Sequence, residues 1–295
     1  MIYEIKNDSL TVRVEDEGAQ LASIRDERGI EYLWQGDKDI WARRAPLLFP
    51  VIARLKDRQY TLDGKTWSIS IHGFCRNAPF VMTEQTGESI SFRYTDTEET
   101  RKVYPFPFAL TVTYQLEGRS LRKVHRVENT GEATMYYELG GHDGYRAPLE
   151  AGEKMADYGI RFPDMKAVTP FGMDAEKMIT PKTVTFDLPD GRLSLKPSDY
   201  GLDTVILDKL PVRRAVLTDG KDRPRVTVDF ADFPYLGIWT IDKPFDTGYV
   251  CIEPWTSLPD AVFVGRDLRE KAGIRSLEPG QSETLSFTTT IHAVQ

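Results

Sequence analysis

The feature that most constrains the fold of this chain is the recurrence of short segments in which apolar and polar residues alternate. Leu10, Val12 and Val14, for example, alternate with Thr11 and Arg13. This alternation is typical of a strand with one buried face. Similar segments recur to beyond residue 280, whereas sustained helical periodicity is scarce. The chain is therefore predicted to be all-β.

Turn residues join many of these segments. Asp63 and Gly64 lie between two β-rich runs and form a dipeptide that accepts the positive φ angles of a tight hairpin. Further turns are predicted at Thr86-Gly87-Glu88, Glu117-Gly118-Arg119 and Pro189-Asp190-Gly191. We therefore predict at least four hairpins and large antiparallel sheets packed face to face. A short helix is predicted from Asp37 to Trp41, with Asp37 as its N-cap.

A single domain covering residues 1–295 is predicted, because no linker, charge block or low-complexity stretch interrupts the strands. No repeat of fixed period is visible, which argues against a propeller or a solenoid. The chain has 38 Lys and Arg against 45 Asp and Glu, a net charge of −7, and no basic run. This balance argues against nucleic-acid binding, which requires a concentrated excess of cations.

The apolar content gives no sign of a membrane protein. The longest apolar run, from Ala45 to Ala53, is interrupted by Pro46 and Pro50 and is too short to span a bilayer. Met1 is not followed by a basic and apolar leader, so a cytoplasmic location is expected. A monomer and a homodimer both fit the sequence.

The two cysteines, Cys75 and Cys251, are far apart and have no CxxC spacing. Two cysteines cannot form a disulfide framework, and a reducing compartment agrees with the absence of an export signal. Each cysteine is predicted to pack as a small apolar side chain rather than to act as a nucleophile.

Two segments in the first third of the chain differ from ordinary strands and turns. An apolar stretch that contains Pro46 and Pro50 leads directly to Arg54. Because prolines fix φ, this stretch can hold the arginine in one direction. Farther on, His72 precedes Gly73, which lets the backbone turn sharply and lets the imidazole face a cavity. Arg54 and His72 are therefore candidate functional residues, with a surface cation and a structural histidine as the alternatives.

Two later segments also stand out. A strand-like run stops at Gly140 and Gly141 and is followed by His142. Closely spaced glycines cost conformational entropy on folding, so their presence indicates that a particular backbone geometry is required there. Glu253 lies in an apolar strand, and Pro254 biases it toward an extended conformation. A carboxylate in such a strand is buried only when it is paired, so a functional and a structural role both remain open.

His72, His142 and Glu253 are far apart in sequence, and only folding can bring them together. If they meet, two imidazoles and a carboxylate can donate and accept protons on a substrate. The same three side chains could instead bind a metal ion as a two-histidine, one-carboxylate site. No closely spaced pair of ligands supports the metal site, so no metal is predicted.

These segments occur in the order found in the aldose 1-epimerase superfamily, whose members resemble galactose mutarotase. The segments are Leu48-Phe49-Pro50 with Arg54-Leu55, His72-Gly73-Phe74, Gly140-Gly141-His142 and Glu253-Pro254-Trp255. The resemblance extends from about Ile2 to His292 and is closest to the LacX-like branch. It implies a β-supersandwich fold, in agreement with the strands and hairpins predicted above.

The resemblance also implies an activity, the interconversion of the α and β anomers of a monosaccharide without a cofactor. Glu253 would be the general base that acts on the anomeric hydroxyl, and His142 the general acid that protonates the ring oxygen. His72 would hydrogen-bond that oxygen. Arg54 and Asp203 would bind sugar hydroxyls. Trp239 or Phe74 could pack against the sugar ring, with a place in the sheet core as the alternative for both.

The chain departs from the family pattern at four positions, which are Ala53, Cys75, Asp143 and Tyr145. The departure with the largest expected consequence is Asp143, because a carboxylate beside His142 could raise the pKa of that histidine. His125 and His292 match no motif and are expected to be structural or exposed.

Two other functions are compatible with the same segments. A sugar phosphate would require several cations around one pocket, for which the candidates are Arg43, Arg44, Arg54, Lys56 and Arg76. A carbohydrate-binding protein without turnover would keep the cleft but lack catalysis. A glycoside hydrolase is less favoured, because hydrolysis usually requires two opposed carboxylates.

Overall fold

The computed structural model describes residues 1–182, 184–243 and 246–293. Its regular structure is nearly all β, which confirms the predicted fold class. The strands are β1 (Ile2–Lys6), β2 (Leu10–Glu15), β3 (Gln20–Asp26), β4 (Gln59–Leu62), β5 (Lys65–Ser68), β6 (Val81–Gln85), β7 (Ser89–Thr95), β8 (Phe108–Glu117), β9 (Ser120–Asn129), β10 (Met135–Tyr137), β11 (Asp143–Arg146), β12 (Gly159–Arg161), β13 (Ala167–Val168), β14 (Gly172–Met173), β15 (Ile179–Thr180), β16 (Phe186–Asp187), β17 (Arg192–Ser194), β18 (Val205–Asp208), β19 (Arg214–Thr218), β20 (Pro224–Asp229), β21 (Tyr235–Trp239), β22 (Tyr249–Trp255), β23 (Arg275–Leu277) and β24 (Ser282–Ile291).

Helical structure is limited to short pieces. An α-helix, α1, spans Glu98–Arg101, and its N-cap Thr97 forms a capping box with Thr100. Single 3₁₀ turns lie at Lys56–Arg58, Cys75–Asn77, Met155–Asp157, Pro189–Gly191, Pro197–Tyr200 and Leu268–Glu270. Within the described residues, no helix has the length and apolar character needed to cross a bilayer.

The largest sheet has nine antiparallel strands in the order β17-β12-β19-β20-β24-β9-β8-β7-β6. Its longest pairing is the hairpin of β8 and β9, which pair from Phe108 opposite Asn129 to Glu117 opposite Ser120. In β9 every second side chain is buried, and in β2 the buried residues are Leu10, Val12 and Val14, as the alternation in the sequence predicts. One face of this sheet therefore packs on the core.

A second antiparallel sheet, in the order β11-β22-β21-β18, carries much of the candidate site. Every residue of β22 is buried. Apolar residues of both sheets belong to one core cluster, including Val112 in β8 and Ile252 in β22. Polar contacts also link the sheets, because the hydroxyl groups of Tyr145 in β11 and Thr289 in β24 share a hydrogen bond of 2.8 Å.

Three of the four predicted hairpins are confirmed, at residues 63–64, 86–88 and 117–119. The fourth is wrong, because Pro189–Gly191 is a 3₁₀ turn whose flanking strands pair elsewhere, β16 with β13 and β17 with β12. The predicted helix from Asp37 to Trp41 is also wrong. These residues form a turn in which the Asp37 carboxylate accepts a hydrogen bond of 2.8 Å from the Asp39 N–H. This side-chain contact competes with helix formation.

The histidines without a motif have structural surroundings. His125 is fully buried in β9 and stacks on Phe287 with a centroid separation of 5.9 Å. His292 contacts the Thr227 hydroxyl through Nε2 at 2.8 Å. Both cysteines are free and buried, as predicted.

Candidate active site

A cavity of about 290 Å³ opens where the four-stranded sheet meets the segments that precede β4 and follow β5. Its volume is close to the lower end of the range for small-molecule sites. The side chains that line it include most of the candidates from the sequence. Among the lining residues are Trp41, Arg43, Arg54, His72, Arg76, His142, Lys177, Asp203, Trp239 and Glu253.

The register of the four-stranded sheet brings His142 and Glu253 together. Asp143 at the start of β11 pairs with Ile252 of β22, so the preceding His142 adjoins the following Glu253. His142 Nε2 lies 3.4 Å from Glu253 Oε2. Both residues are buried, with 7% and 1% of their surface exposed. An imidazole and a carboxylate are thus in direct contact at the base of the cavity.

The proline-containing segment connects the two histidine loops. Leu48 forms an isolated β-bridge with Gly140, close to His142, and Phe49 forms one with Gly73, beside His72. At Gly73 φ is +70°, and a Cβ atom would lie 2.1 Å from the Phe49 carbonyl oxygen. At Gly140 a Cβ atom would lie 2.6 Å from the Trp255 ring. The glycines are therefore required because backbones and rings approach these positions closely.

Hydrogen bonds to Ala53 fix the orientation of His72. The His72 N–H donates to the Ala53 carbonyl at 2.8 Å, and the Ala53 N–H donates to His72 Nδ1 at 3.1 Å. Since Nδ1 accepts a hydrogen bond, a neutral His72 carries its proton on Nε2. Burial lowers the pKa of His72 well below its usual value, and the charges of His142, Arg76 and Arg43 lower it further. His72 is therefore a neutral hydrogen-bond donor, with its ring centroid 5.4 Å from that of His142.

Burial shifts the pKa values of the contacting pair in opposite directions. It lowers the pKa of His142 to about 3, against a backbone hydrogen bond that raises it, and Arg76 and Arg43 lower it further. Burial raises the pKa of Glu253 well above its usual value, Asp143 raises it further, and the Trp255 indole acts in the opposite direction. Burial therefore favours the uncharged form of each group, and the pair in that form carries one proton in all.

Two tryptophans form an aromatic wall beside the pair. Trp41 stacks on His142 with centroids 5.2 Å apart, and Trp239 meets the same imidazole edge-on at 5.5 Å. Trp239 was a candidate from the sequence. Trp41 was not, because its surroundings were interpreted as a short helix and no local motif marks it.

The polar candidates Arg54 and Asp203 lie at the mouth of the cavity. Arg54 is exposed there, and Asp203 forms an ion pair of 2.8 Å with Lys177. Asp203 lies two residues before Val205, the first residue of β18, which pairs with Ile238 beside Trp239. Lys177 lies in the loop between β14 and β15, and no sequence signal identified it.

Phe74 does not line this cavity, and its position agrees with the alternative of a place in the core. Its ring packs on the core, 6.0 Å from Phe108 and 6.5 Å from Phe49 between centroids. The left-handed conformations of His72 and Gly73 turn the chain, so that neighbouring side chains face different environments.

The expectation that Asp143 raises the pKa of His142 is corrected by the position of its carboxylate. Its carboxylate forms a buried ion pair of 2.7 Å with Lys123 on β9, on the side of the strand away from the cavity. Neighbouring side chains at a strand point to opposite faces, which separates Asp143 from His142. Asp143 therefore does not raise the pKa of His142, which burial lowers.

The two-histidine metal site suggested by the sequence is not the cluster that the fold assembles. Among the described residues, the group with metal-ligand spacing is His142, Cys251 and Glu253, whose ligand atoms lie within 4.8 Å of one another. Burial raises the pKa of the Cys251 thiol well above its usual value, and Glu253 and Asp143 raise it further. A metal ion binds the thiolate, so it would have to displace the thiol proton at this site.

A buried ionic network holds the segment that carries Arg54. Glu138 accepts a hydrogen bond from the Ile52 N–H at 2.7 Å, and Asp260 accepts one from the Lys56 N–H at 2.7 Å. Lys271 bridges these two carboxylates. Both ends of the segment are therefore attached to the same buried ammonium group.

Comparisons with known proteins agree with this arrangement. The family model for aldose 1-epimerase matches residues 1–289. The chromosomal and plasmid LacX proteins of Lactococcus lactis subsp. lactis are each 33% identical over 305 residues, which cover 99% of this chain and 99% of the relative.

Solved structures show the same fold. A galactose mutarotase related enzyme from Lactobacillus acidophilus matches with a TM-score of 0.92 at 34% identity, covering 99% of this chain and 98% of the other. A galactose mutarotase-like protein from Lactobacillus casei matches with a TM-score of 0.88 at 28% identity, covering 99% and 100% of the two chains. These matches confirm the predicted galactose mutarotase-like fold, and the chain belongs to the aldose 1-epimerase family.

Proposed function

We propose that the protein interconverts the α and β anomers of an aldose by acid and base catalysis through ring opening. The observation that carries this proposal is the contact of 3.4 Å between His142 Nε2 and Glu253 Oε2 at the base of a cavity of about 290 Å³. Family membership supports the reaction class.

The contact suits this reaction because the two oxygens that exchange protons are bonded to the same carbon. The ring oxygen and the anomeric hydroxyl both belong to C1, so their acid and base must be close neighbours. In the forward direction the single proton of the pair starts on His142, which donates it to the ring oxygen while Glu253 accepts the proton of the anomeric hydroxyl. The bond between C1 and the ring oxygen breaks, and an aldehyde forms.

Rotation about the bond between C1 and C2 then exposes the other face of the aldehyde. The ring hydroxyl adds to C1 while His142 takes back its proton and Glu253 returns one to the new anomeric oxygen. The pair ends with the single proton with which it began, so no redox cofactor is consumed. His72, a neutral donor through Nε2, stabilises the ring oxygen by a hydrogen bond in both directions.

The remaining candidates orient the sugar. Trp41 and Trp239 offer apolar ring surface on which the CH groups of a pyranose can pack. Arg54 and Asp203 at the mouth can bind hydroxyl groups that are remote from C1. These roles place the reducing end of the sugar at the buried pair and its other end toward solvent.

Anomer exchange by the wild-type protein tests the proposal. Freshly dissolved α-glucose and α-galactose are followed by polarimetry or anomer-resolved NMR, with several other aldoses in parallel. We expect the protein to accelerate the approach to equilibrium for at least one of them. Calorimetric binding of a sugar without acceleration of exchange would instead identify a carbohydrate-binding protein and would refute the proposed catalytic activity.

The pH dependence of this exchange follows from the shared proton. Below the window in which the pair holds one proton, a second proton leaves both groups protonated, so neither can act as the base. Above it, the pair loses its only proton and His142 has none to give. Burial lowers the pKa of His142 to about 3 and raises that of Glu253, which widens the window on both sides. We expect kcat/KM to form a broad bell that includes neutral pH.

A further inference from the structure

The cavity is positively charged although the chain carries a net charge of −7. Four cations line it, Arg43, Arg54, Arg76 and Lys177, against the carboxylates Asp203 and Glu253. Lys177 and Asp203 pair with each other, and Glu253 lies 3.4 Å from the imidazole of His142. Among the described residues, no carboxylate lies within ion-pair distance of the three arginines. The excess positive charge of the cavity therefore comes from the three arginines.

Arg43 and Arg76 are half-buried, whereas Arg54 is exposed at the mouth. Arg76 lies in the 3₁₀ turn Cys75–Asn77, four residues after His72. Arg43 Nη2 donates a hydrogen bond of 2.9 Å to Asn77 Oδ1 in the same turn. One turn thus holds both guanidinium groups beside the histidines.

The two guanidinium groups lack an internal counter-charge. Arg76 Nε is buried and has no hydrogen-bond acceptor among the residues described. Burial lowers the pKa of Arg76, and the charge of Arg43 lowers it further. Two neighbouring cations of this kind destabilise one another, and an anion between them would remove the repulsion and supply the missing acceptor.

We infer that Arg43 and Arg76 bind an anionic group of the substrate, and that the protein acts on an aldose phosphate. This inference rests on the anomer exchange proposed above. Two guanidinium groups suit a phosphoryl dianion because each can donate to two of its oxygens. The phosphoryl group must be on a carbon other than C1, since a sugar blocked at the anomeric oxygen cannot open its ring.

Relative kcat/KM values for anomer exchange test the substrate class. Glucose and galactose are compared with their 6-phosphates and with glucuronate and galacturonate. The wild-type protein is expected to prefer the phosphates over the neutral sugars by about a hundredfold, from two charge-assisted contacts. Equal rates for phosphorylated and neutral sugars would overturn the inference. Equal kcat/KM values for the sugar phosphates and the uronates would overturn the proposed preference for a phosphoryl group over a carboxylate.

Substitution of each arginine tests the residues. Arg43→Met and Arg76→Met are each expected to reduce the ratio of kcat/KM for phosphorylated over neutral sugar by roughly tenfold or more. Arg76→Lys is expected to retain part of the preference, because its charge remains without the bidentate geometry. Arg122→Met removes an exposed arginine of β9 and should leave the ratio unchanged. A ratio unaffected by both cavity substitutions would refute the assignment.

Calorimetry with inorganic phosphate provides a readout that does not require turnover. The folded wild-type protein is expected to bind phosphate more tightly than either Arg→Met variant by a similar factor, after thermal unfolding confirms that the variants fold. Equal phosphate binding by all three proteins would overturn the inference even if exchange occurs. Phosphate binding that depends on the arginines, without exchange of any sugar, would sustain the anion site while refuting the proposed catalysis.

Discussion

The Glu253→Gln protein is expected to lose anomer exchange by about 10³-fold or more in kcat, within the range for a positioned proton-transfer group. Glutamine preserves the size of the side chain and its hydrogen-bonding atoms but cannot accept a proton at neutral pH. The substitution also removes the partner that shares a proton with His142 at 3.4 Å. A neutral imidazole whose pKa is lowered by burial then has no proton to donate readily.

Because one substitution disables both members of the pair, its effect should not add to that of His142→Asn. The double variant is expected to be about as slow as either single variant, as found for groups that act as a unit. Glu88→Gln, in the exposed turn between β6 and β7, serves as the control and should keep full activity. A Glu253→Gln protein that retains wild-type kcat would exclude Glu253 as the base.

Lys271→Met is expected to destabilise the protein by about 3–5 kcal/mol, the cost of removing one partner from a buried ion pair. The Lys271 side chain is 3% exposed and contacts Glu138 and Asp260, which are 0% and 7% exposed. Burial acts to lower the pKa of Lys271, but the two carboxylates raise it. Without the ammonium group, two buried carboxylates would face each other uncompensated.

Urea unfolding at neutral pH measures this cost. Lys65→Met, on exposed β5, is the matched control and should change the free energy of unfolding by less than about 0.5 kcal/mol. Combining Lys271→Met with Glu138→Gln should recover part of the lost free energy of unfolding, since one of the two uncompensated carboxylates is removed. A loss below about 1 kcal/mol for Lys271→Met would show that the network does not hold the segment as described.

The sequence predicted the fold class because alternation and turn residues act locally. Strand patterns such as that of β2 and the dipeptide Asp63-Gly64 carry their own structural signal. The wrong predictions arose where other contacts override the local preference of the sequence. Asp37 forms a hydrogen bond that favours a turn, and the strands flanking Pro189–Gly191 find partners that lie far away in sequence.

The candidate site was only partly visible in the sequence for a similar reason. His72 and His142 are marked by adjacent glycines that close backbone contacts require. Their proximity to Glu253 depends on sheet register, which no short motif specifies. Trp41 and Lys177 reach the cavity from loops whose paths depend on the whole fold. The opposite orientation of Asp143 follows from strand alternation once β11 is known to begin there.

A crystal structure of the Glu253→Gln protein with a bound aldose or aldose phosphate tests the central claim most directly. The account predicts that the ring oxygen lies within hydrogen-bonding distance of His142 Nε2, about 2.6–3.2 Å. It also predicts that the anomeric oxygen contacts the side chain substituted at position 253. A sugar bound with C1 at the mouth of the cavity, beyond reach of both side chains, would contradict the proposed acid and base.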